Sequence, residues 1–282
     1  MTLSVVIITH NEEANIGRTL ASVRPLVSDG KGEIIVVDSG SIDRTVEIAK
    51  SFDAKVFVEE WKGYAAQKNS AIDKATGDWI LSLDADEEVS SDLAAHIQRA
   101  ETDRVSGPFE WNLAPNFDVR YIDLPTDVRP LPRAFWIARK NHFLGRWIEH
   151  GGFYPDRKLR LFARGAARFD DGRIVHEDAH TVHRTAIVPT GALIHHSYPT
   201  LSDYLDHMNR YSSLGAEMVA AKGRVRFNLF NIVLRPAATF LYNYFFRLGF
   251  LDGREGLLLH LYHAIYVSWK YAKAWELQKK LE

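Results

Sequence analysis

The chain has 282 residues, 46% of them hydrophobic and 25% charged, with no cysteine and a formal net charge of -1. That is enough for one large core, or one domain plus an appendage, and without cysteine there are no disulfides, iron–sulfur clusters or thiol catalysis. The small net charge conceals a split: residues 1–103 hold 19 Asp and Glu against 10 Lys and Arg, whereas residues 129–168 hold 10 Lys and Arg against Glu149 and Asp156, so the two regions should meet different partners.

In chain order, "LSVVIIT" (3–9) is a β-branched run of the kind found in strands buried on both faces. The spacing of Ile16, Leu20 and Val23 predicts a helix from about Asn11 to Val27. "GEIIVVDSGS" reads as a second buried strand closed by Asp38 and a Ser-Gly turn, with Ser41 or Asp43 able to cap the helix of "DRTVEIAKSF". "AKVFVEE" reads as a third strand, "GYAAQKNSAIDKAT" as a third helix with Gly77 near its end, and "DWILSLDAD" as a fourth strand. Four alternations of strand and helix in under 90 residues imply a doubly wound α/β domain with a mostly parallel sheet. From about residue 107 the pattern loosens into a segment rich in Pro and aromatics. "DRKLRLFARG" predicts a strand and turn. Helices return after about residue 200, and no internal repeat is visible.

Ligands of such sheets bind beyond the carboxyl ends of the strands. "THNEE", Asp38 and the pair Asp84/Asp86 all fall there. Asp84-Ala85-Asp86 has a spacing at which two carboxylates converge on one hard cation, Mg2+ or Mn2+, with substrate phosphate completing the shell. The alternative is a solvated acidic loop capping a helix at Ser90 or Ser91. Glu87 and Glu88 read as the charged first turn of the following segment, with little functional weight.

Together, "SVVIITHNEEANIGRTLASV", "EIIVVDSGSIDRT" and "QKNSAIDKATGDWILSLDADEEV" resemble the N-terminal domain of family 2 glycosyltransferases, nucleotide-sugar enzymes of GT-A fold, over roughly residues 1–100. "GRWIEHGGFYPDRKLRLFARG" and "VHE" more loosely resemble a bacterial subset that includes lipopolysaccharide-core glucosyltransferases. The resemblance implies a Rossmann-like GT-A catalytic domain over residues 1–200 and a C-terminal helical appendage over 201–282. It implies that Asp38 holds the uracil or ribose of a UDP-sugar, that Thr9, Asn11 and Glu12 lie along the nucleotide, and that Lys68 lies near the base or phosphates. Asp78 would then sit on the ribose side, Asp86 would bind the metal, and Asp84 would serve metal, ribose or sugar. A metal between these carboxylates and the diphosphate would neutralise the leaving group.

Inverting transfer needs one carboxylate to take the acceptor proton, and not the carboxylate pair of a retaining hydrolase. Glu177 in "IVHEDAH" is preferred and Asp156 in "FYPDRKLRLF" is the other candidate. Residues 176–180, "HEDAH", also match the zinc-protease pattern, which leaves a zinc-dependent hydrolase as an alternative. That pattern needs a helix, whereas the flanks are β-branched. A third possibility is a non-catalytic nucleotide-sugar-binding protein. At the end of "TGALI", His195 or His196 could complete a metal shell, and His196 is the candidate carried forward. Arg157, Arg160 and Arg164 are candidates to grip phosphate on donor or acceptor. With no recognition helix and a near-neutral pI, nucleic acid is not an expected partner.

Residues 227–251 and 256–269 are apolar but interrupted, by Arg235, Pro236 and Arg247 in the first and by two histidines in the second, and neither offers an unbroken apolar run near the ~20 residues of a spanning helix. The longest charge-free run of the first segment, Pro236 to Phe246, is 11 residues, so both read as an interfacial hairpin on anionic lipid or as a packed or homodimer-forming pair. "MTLSVVIITHNEE" does not read as a signal peptide. The expectation is therefore a cytoplasmic enzyme, peripheral on the inner face of the plasma membrane, acting on a glycolipid or polysaccharide precursor.

Overall fold

A computed structural model of the protein describes residues 2–102, 132–170 and 179–279. It is mixed α/β with C-terminal helices, and it divides into two compact units. Residues 1–139 and 157–195 form the first unit, and 140–156 with 196–282 form the second.

The first unit opens with β1 (Leu3–Thr9), α1 (Ile16–Val27), β2 (Gly32–Asp38), α2 (Thr45–Ser51), β3 (Lys55–Val58), α3 (Tyr64–Asp73) and β4 (Trp79–Asp84). These four strands pair parallel, in the order β3-β2-β1-β4. Every residue of β1 is buried, as the unbroken β-branched run requires when helices cover both faces. Helix α1 starts at Ile16 rather than near Asn11. Asn11 is left-handed (φ 55°), and residues 11–13 are instead laced to the loop after β2. There the Asn11 N–H donates to Ser41 Oγ (2.8 Å), Glu12 N–H to Thr45 Oγ1 (2.7 Å) and Glu13 N–H to Asp43 Oδ2 (3.1 Å).

β5 (Glu87–Val89) and α4 (Ser91–Thr102) follow, then β6 (Ala134–Phe143), β7 (Arg146–Trp147), β8 (Asp156–Ala163), β9 (Arg168–Phe169), β10 (Ala179–His180), β11 (Thr185–Ile187) and β12 (Leu193–Tyr198). Strand β8 runs antiparallel to β4, and β12 antiparallel to β5, extending the sheet to the order β3-β2-β1-β4-β8-β6-β12-β5. Two apolar clusters, one containing Leu3, Ile7, Leu20 and Leu81 and the other Val6, Ile35, Ile72 and Phe162, form the core of this unit.

The second unit holds α5 (Leu201–Ala221), whose N-terminus carries a capping box made by Thr200 and Asp203. Next comes α6 (Arg235–Leu241), flanked by π-helical turns at Phe230–Leu234 and Tyr242–Phe246, and then α7 (Gly253–Lys279). Its core gathers Phe143, Ile148, Tyr204 and Leu259. Among the described residues no helix is long and apolar enough to cross a membrane.

Candidate functional site

The register places Thr9 beside Asp38 and Ile8 beside Asp84, so the polar groups stand level at the carboxyl ends of β1, β2 and β4. Parallel pairing explains this directly, since strands that enter together end together. Asp38 is fully buried, and its carboxylate is engaged by its own turn: Oδ1 accepts from Gly40 N (2.9 Å) and Ser41 N (2.8 Å), and Oδ2 accepts from Ser41 Oγ. Gly40 has φ +83°, which a glycine adopts without strain.

Asp84 faces two cations of the protein itself. Lys68 Nζ from α3 lies 2.8 Å from Oδ1, and the Arg160 guanidinium from β8 binds Oδ2. Burial would raise the Asp84 carboxyl, but Arg160 and Lys68 outweigh it and hold it well below the usual carboxylate range. Arg160 also binds Glu87 Oε1 (2.9 Å), which receives Arg139 Nη1 at 3.1 Å. The other Glu87 oxygen accepts the Asp84 N–H at 3.0 Å. Burial opposes charge on Arg160, yet Asp84 and Glu87 raise its pKa above the ordinary arginine value.

Asp86 pairs with His195 Nε2 at 3.2 Å. Burial pushes this carboxyl up, and His195 more than compensates, leaving it lowered. Glu12 is raised, chiefly by burial and further by the charges of Asp86, Asp43 and Asp84, although Asn15 donates to it at 2.8 Å.

Several expectations change here. Glu87 is in β5, not the first turn of a helix, and it is completely buried as the hub of the ion network; Glu88 pairs with Arg18 at 2.6 Å. The histidine on the acidic rim is His195 rather than His196, because β12 alternates its side chains and His195 is register-paired with Glu87. His196 stacks on His142 (5.4 Å) within the second unit. Asp78 stands at the amino end of β4, six residues from Asp84, where Thr2 N and Oγ1 donate to it at 3.1 and 3.0 Å. Arg164 stands at that same end, its N–H donating to Asp78 O at 2.9 Å, because β8 runs antiparallel to β4. Neither is on the rim. Arg157 is exposed near the start of β8. Asp156 lies in the second unit and accepts from Asn141 Nδ2 at 3.2 Å.

Glu177 lies outside the described residues, as do His176 and Asp178. The described end of "HEDAH", Ala179–His180, is a strand paired antiparallel with β9, not the helix that a zinc-protease motif requires. Arg139 and Glu87 were the residues that motif reading missed. The available signal was local: Glu87 and Val89 share one face of a strand by period-two alternation, and that face is buried.

Among the described residues no three His, Asp or Glu side chains converge as a self-sufficient metal cluster. Asp86 and His195 do offer one carboxylate and one imidazole together. The carboxylate suits Mg2+ and Mn2+ alike, with phosphate and water completing the shell, whereas the imidazole suits the transition metal Mn2+ better than Mg2+, which takes oxygen ligands.

The family model of glycosyl transferase family 2 matches residues 4–168. Over 279 residues the chain is 30% identical to an uncharacterized glycosyltransferase of Rickettsia typhi, a match that covers 99% of this chain and 88% of that protein. It is 27% identical over 281 residues to the lipopolysaccharide core biosynthesis glycosyltransferase LpsC of Rhizobium meliloti, covering 97% and 92%. Among solved structures, TarS 1–349 of S. aureus in complex with UDP aligns over 100% of this chain and 92% of its own, with 16% identity and a TM-score of 0.46. Glucosyl-3-phosphoglycerate synthase of Mycobacterium tuberculosis, in complex with Mn2+, UDP and glucosyl-3-phosphoglycerate, aligns over 38% of this chain and 40% of its own (27% identity, TM-score 0.31). The chain belongs to glycosyl transferase family 2 and is a glycosyltransferase.

Proposed function

We propose that the protein is an inverting, metal-dependent enzyme that moves a hexose from a UDP-sugar to a hydroxyl of a membrane glycolipid or polysaccharide precursor at the cytoplasmic membrane face. The observation that carries the donor half is the contrast between two neighbouring carboxylates. Asp84 is clamped by Lys68 and Arg160, whereas Asp86 pairs with a histidine, which can also serve as a metal ligand.

Charge counting sharpens this. Among the ion-paired groups, Asp84, Asp86 and Glu87 are offset by Lys68, Arg139 and Arg160 if histidine is counted neutral, and Glu12, whose carboxyl is raised by burial and by these carboxylates, adds at most one further negative charge. A divalent cation alone would therefore enter a site with little net attraction, whereas the cation together with the diphosphate of a nucleotide-sugar leaves the charge of the site unchanged. Asp86 with His195 would hold the metal, which when bound neutralises charge on the leaving diphosphate. Lys68 and Arg160 supply further positive charge beside it. Glu177 is the preferred base, with Asp156 the other candidate. Glycolipid as acceptor is supported by the 27% identity to LpsC.

The reading predicts that Mn2+ binds weakly alone and at least tenfold more tightly with UDP, as measured by titration calorimetry. Equal affinity with and without UDP would remove the charge-pair account. Turnover of UDP-, GDP- and dTDP-sugars, with and without metal, tests the donor. If Glu177→Gln turned over normally while Asp156→Asn was dead, the base assignment would be exchanged.

A further inference from the structure

The helical stretch Leu229–Phe246 is inside out. Its exposed positions come in adjacent pairs starting at 229, 233, 237, 241 and 245, and they read LF, VL, AA, LY and FF. The intervening pairs, at 231, 235, 239 and 243, are buried or half-buried and read NI, RP, TF and NY. Apart from the Tyr242 hydroxyl, every polar group of the stretch thus lies on the more buried face, and the outward pairs are otherwise apolar. The large outward side chains are 49 to 79% exposed. A helix on the surface of a water-soluble protein shows the opposite arrangement.

The pattern is held by the backbone. A four-residue repeat drifts about 40° per repeat on an α-helix of 3.6 residues per turn and would wind round the helix over this length. The two π-helical turns take more residues per turn and keep the apolar pairs on one face. Pro236 removes the N–H that would have bonded the Ile232 carbonyl, and Ser268 Oγ from α7 donates to that carbonyl at 2.9 Å. Arg235 donates to Tyr271 Oη at 2.7 Å and lies over the Phe230 and Tyr271 rings. The inward face is therefore built into the second unit, and the outward face is what remains.

We infer that this face inserts into the headgroup–acyl boundary of an anionic bilayer, with α6 and its two π turns lying in the membrane plane. This deepens the membrane-acceptor part of the function proposed above. Charge selects the occupant. Residues 219–251 carry Lys222, Arg224, Arg226, Arg235 and Arg247 and no acid, and all of these except Arg235 are exposed. Basic residues flanking an aromatic face suit anionic headgroups. A second copy docking the same face about a two-fold axis would instead set these cations against their own counterparts. The stretch spans roughly 25 Å at 1.5 Å per residue, long enough to lie on a bilayer.

The test uses the full chain without donor or acceptor, so its failure is separate from failure of the donor assignment. Co-sedimentation is measured with phosphatidylglycerol-rich and with phosphatidylcholine vesicles. The expected result is binding to the first, weakened by salt, and at least a tenfold drop in partition for Leu241→Gln/Phe245→Gln/Phe246→Gln at an unchanged melting temperature. In case that variant misfolds, Phe246→Cys, the only thiol in a chain without cysteine, reports independently: an environment-sensitive fluorophore attached there should shift its emission to the blue on the anionic vesicles and be quenched by lipids carrying a quencher in the acyl chain. Wild-type protein left in the supernatant with both vesicles would overturn the inference, as would an unquenched fluorophore at Phe246→Cys. A sedimenting dimer that the triple variant dissolves would assign the face to a second copy instead.

Discussion

The acidic rim of the first unit and the apolar strip of the second each place side chains against their ordinary preference, and the protein resolves the two in different ways. Glu87 is fully buried and Asp84 largely so, but Lys68, Arg139 and Arg160 are folded in beside them. The outward face of Leu229–Phe246 is left uncovered instead, with its large apolar side chains 49 to 79% exposed. A buried charge without a counter-charge costs several kcal/mol, so the chain must carry its own neutralising groups to fold. An exposed apolar face costs far less in the folded state and can wait for an external surface.

The contrast can be broken first at Asp86. If this carboxylate faces a ligand rather than a structural cation, Asp86→Ala should lower turnover by about three orders of magnitude, roughly 4 kcal/mol of transition-state stabilisation, with little change in melting temperature. Steady-state kinetics beside a thermal melt would show this, and a stability loss of that size would make Asp86 structural.

Glu87 should behave in the reverse manner. Glu87→Ala strips a buried partner from Arg139 and Arg160 and is expected to cost about 3–5 kcal/mol of unfolding free energy, measured by urea denaturation. A variant as stable as wild type would show that the network is relieved by solvent.

A smaller effect tests the second unit. His260 is 1% exposed with neither ring nitrogen bonded, and burial, with His263 adding to it, pushes its pKa down to about 4. Between about pH 6.5 and 4 the unfolded chain takes up a proton that the folded chain refuses. Stability from this residue is therefore complete above that range and is lost as pH falls through it, by roughly 2.5 kcal/mol at pH 4.5. His260→Leu should flatten the acid limb of melting temperature against pH, and an unchanged limb would place the acid sensitivity elsewhere.

The smallest effect belongs to the exposed pair of Arg168 with Asp73, whose side chains are 54% and 58% exposed. Arg168→Ala should cost under about 1 kcal/mol. A larger loss in the same denaturation assay would show that solvent-exposed pairs also carry the fold.

Local pattern alone determined the four parallel strands, the helices between them and the presence of Thr9, Asp38, Asp84 and Asp86 at strand ends, because periodicity and β-branched runs act over a few residues. Family 2 membership was legible from the motifs of those same strand ends. Which carboxylate is clamped and which is paired with a histidine was decided by tertiary structure. Arg139 and Arg160 lie over 50 residues from Glu87 in the chain, and His195 is more than 100 from Asp86. Only the antiparallel docking of β8 on β4 and of β12 on β5, with β6 between β8 and β12, brings them in. The same antiparallel run carries Arg164 and Asp78 to the opposite end of the sheet. Likewise the composition of residues 227–251 marked an apolar segment, but its outward face depended on π-helical turns whose underwinding converts a four-residue repeat into a single stripe, a property of backbone hydrogen bonding that residue type alone does not state.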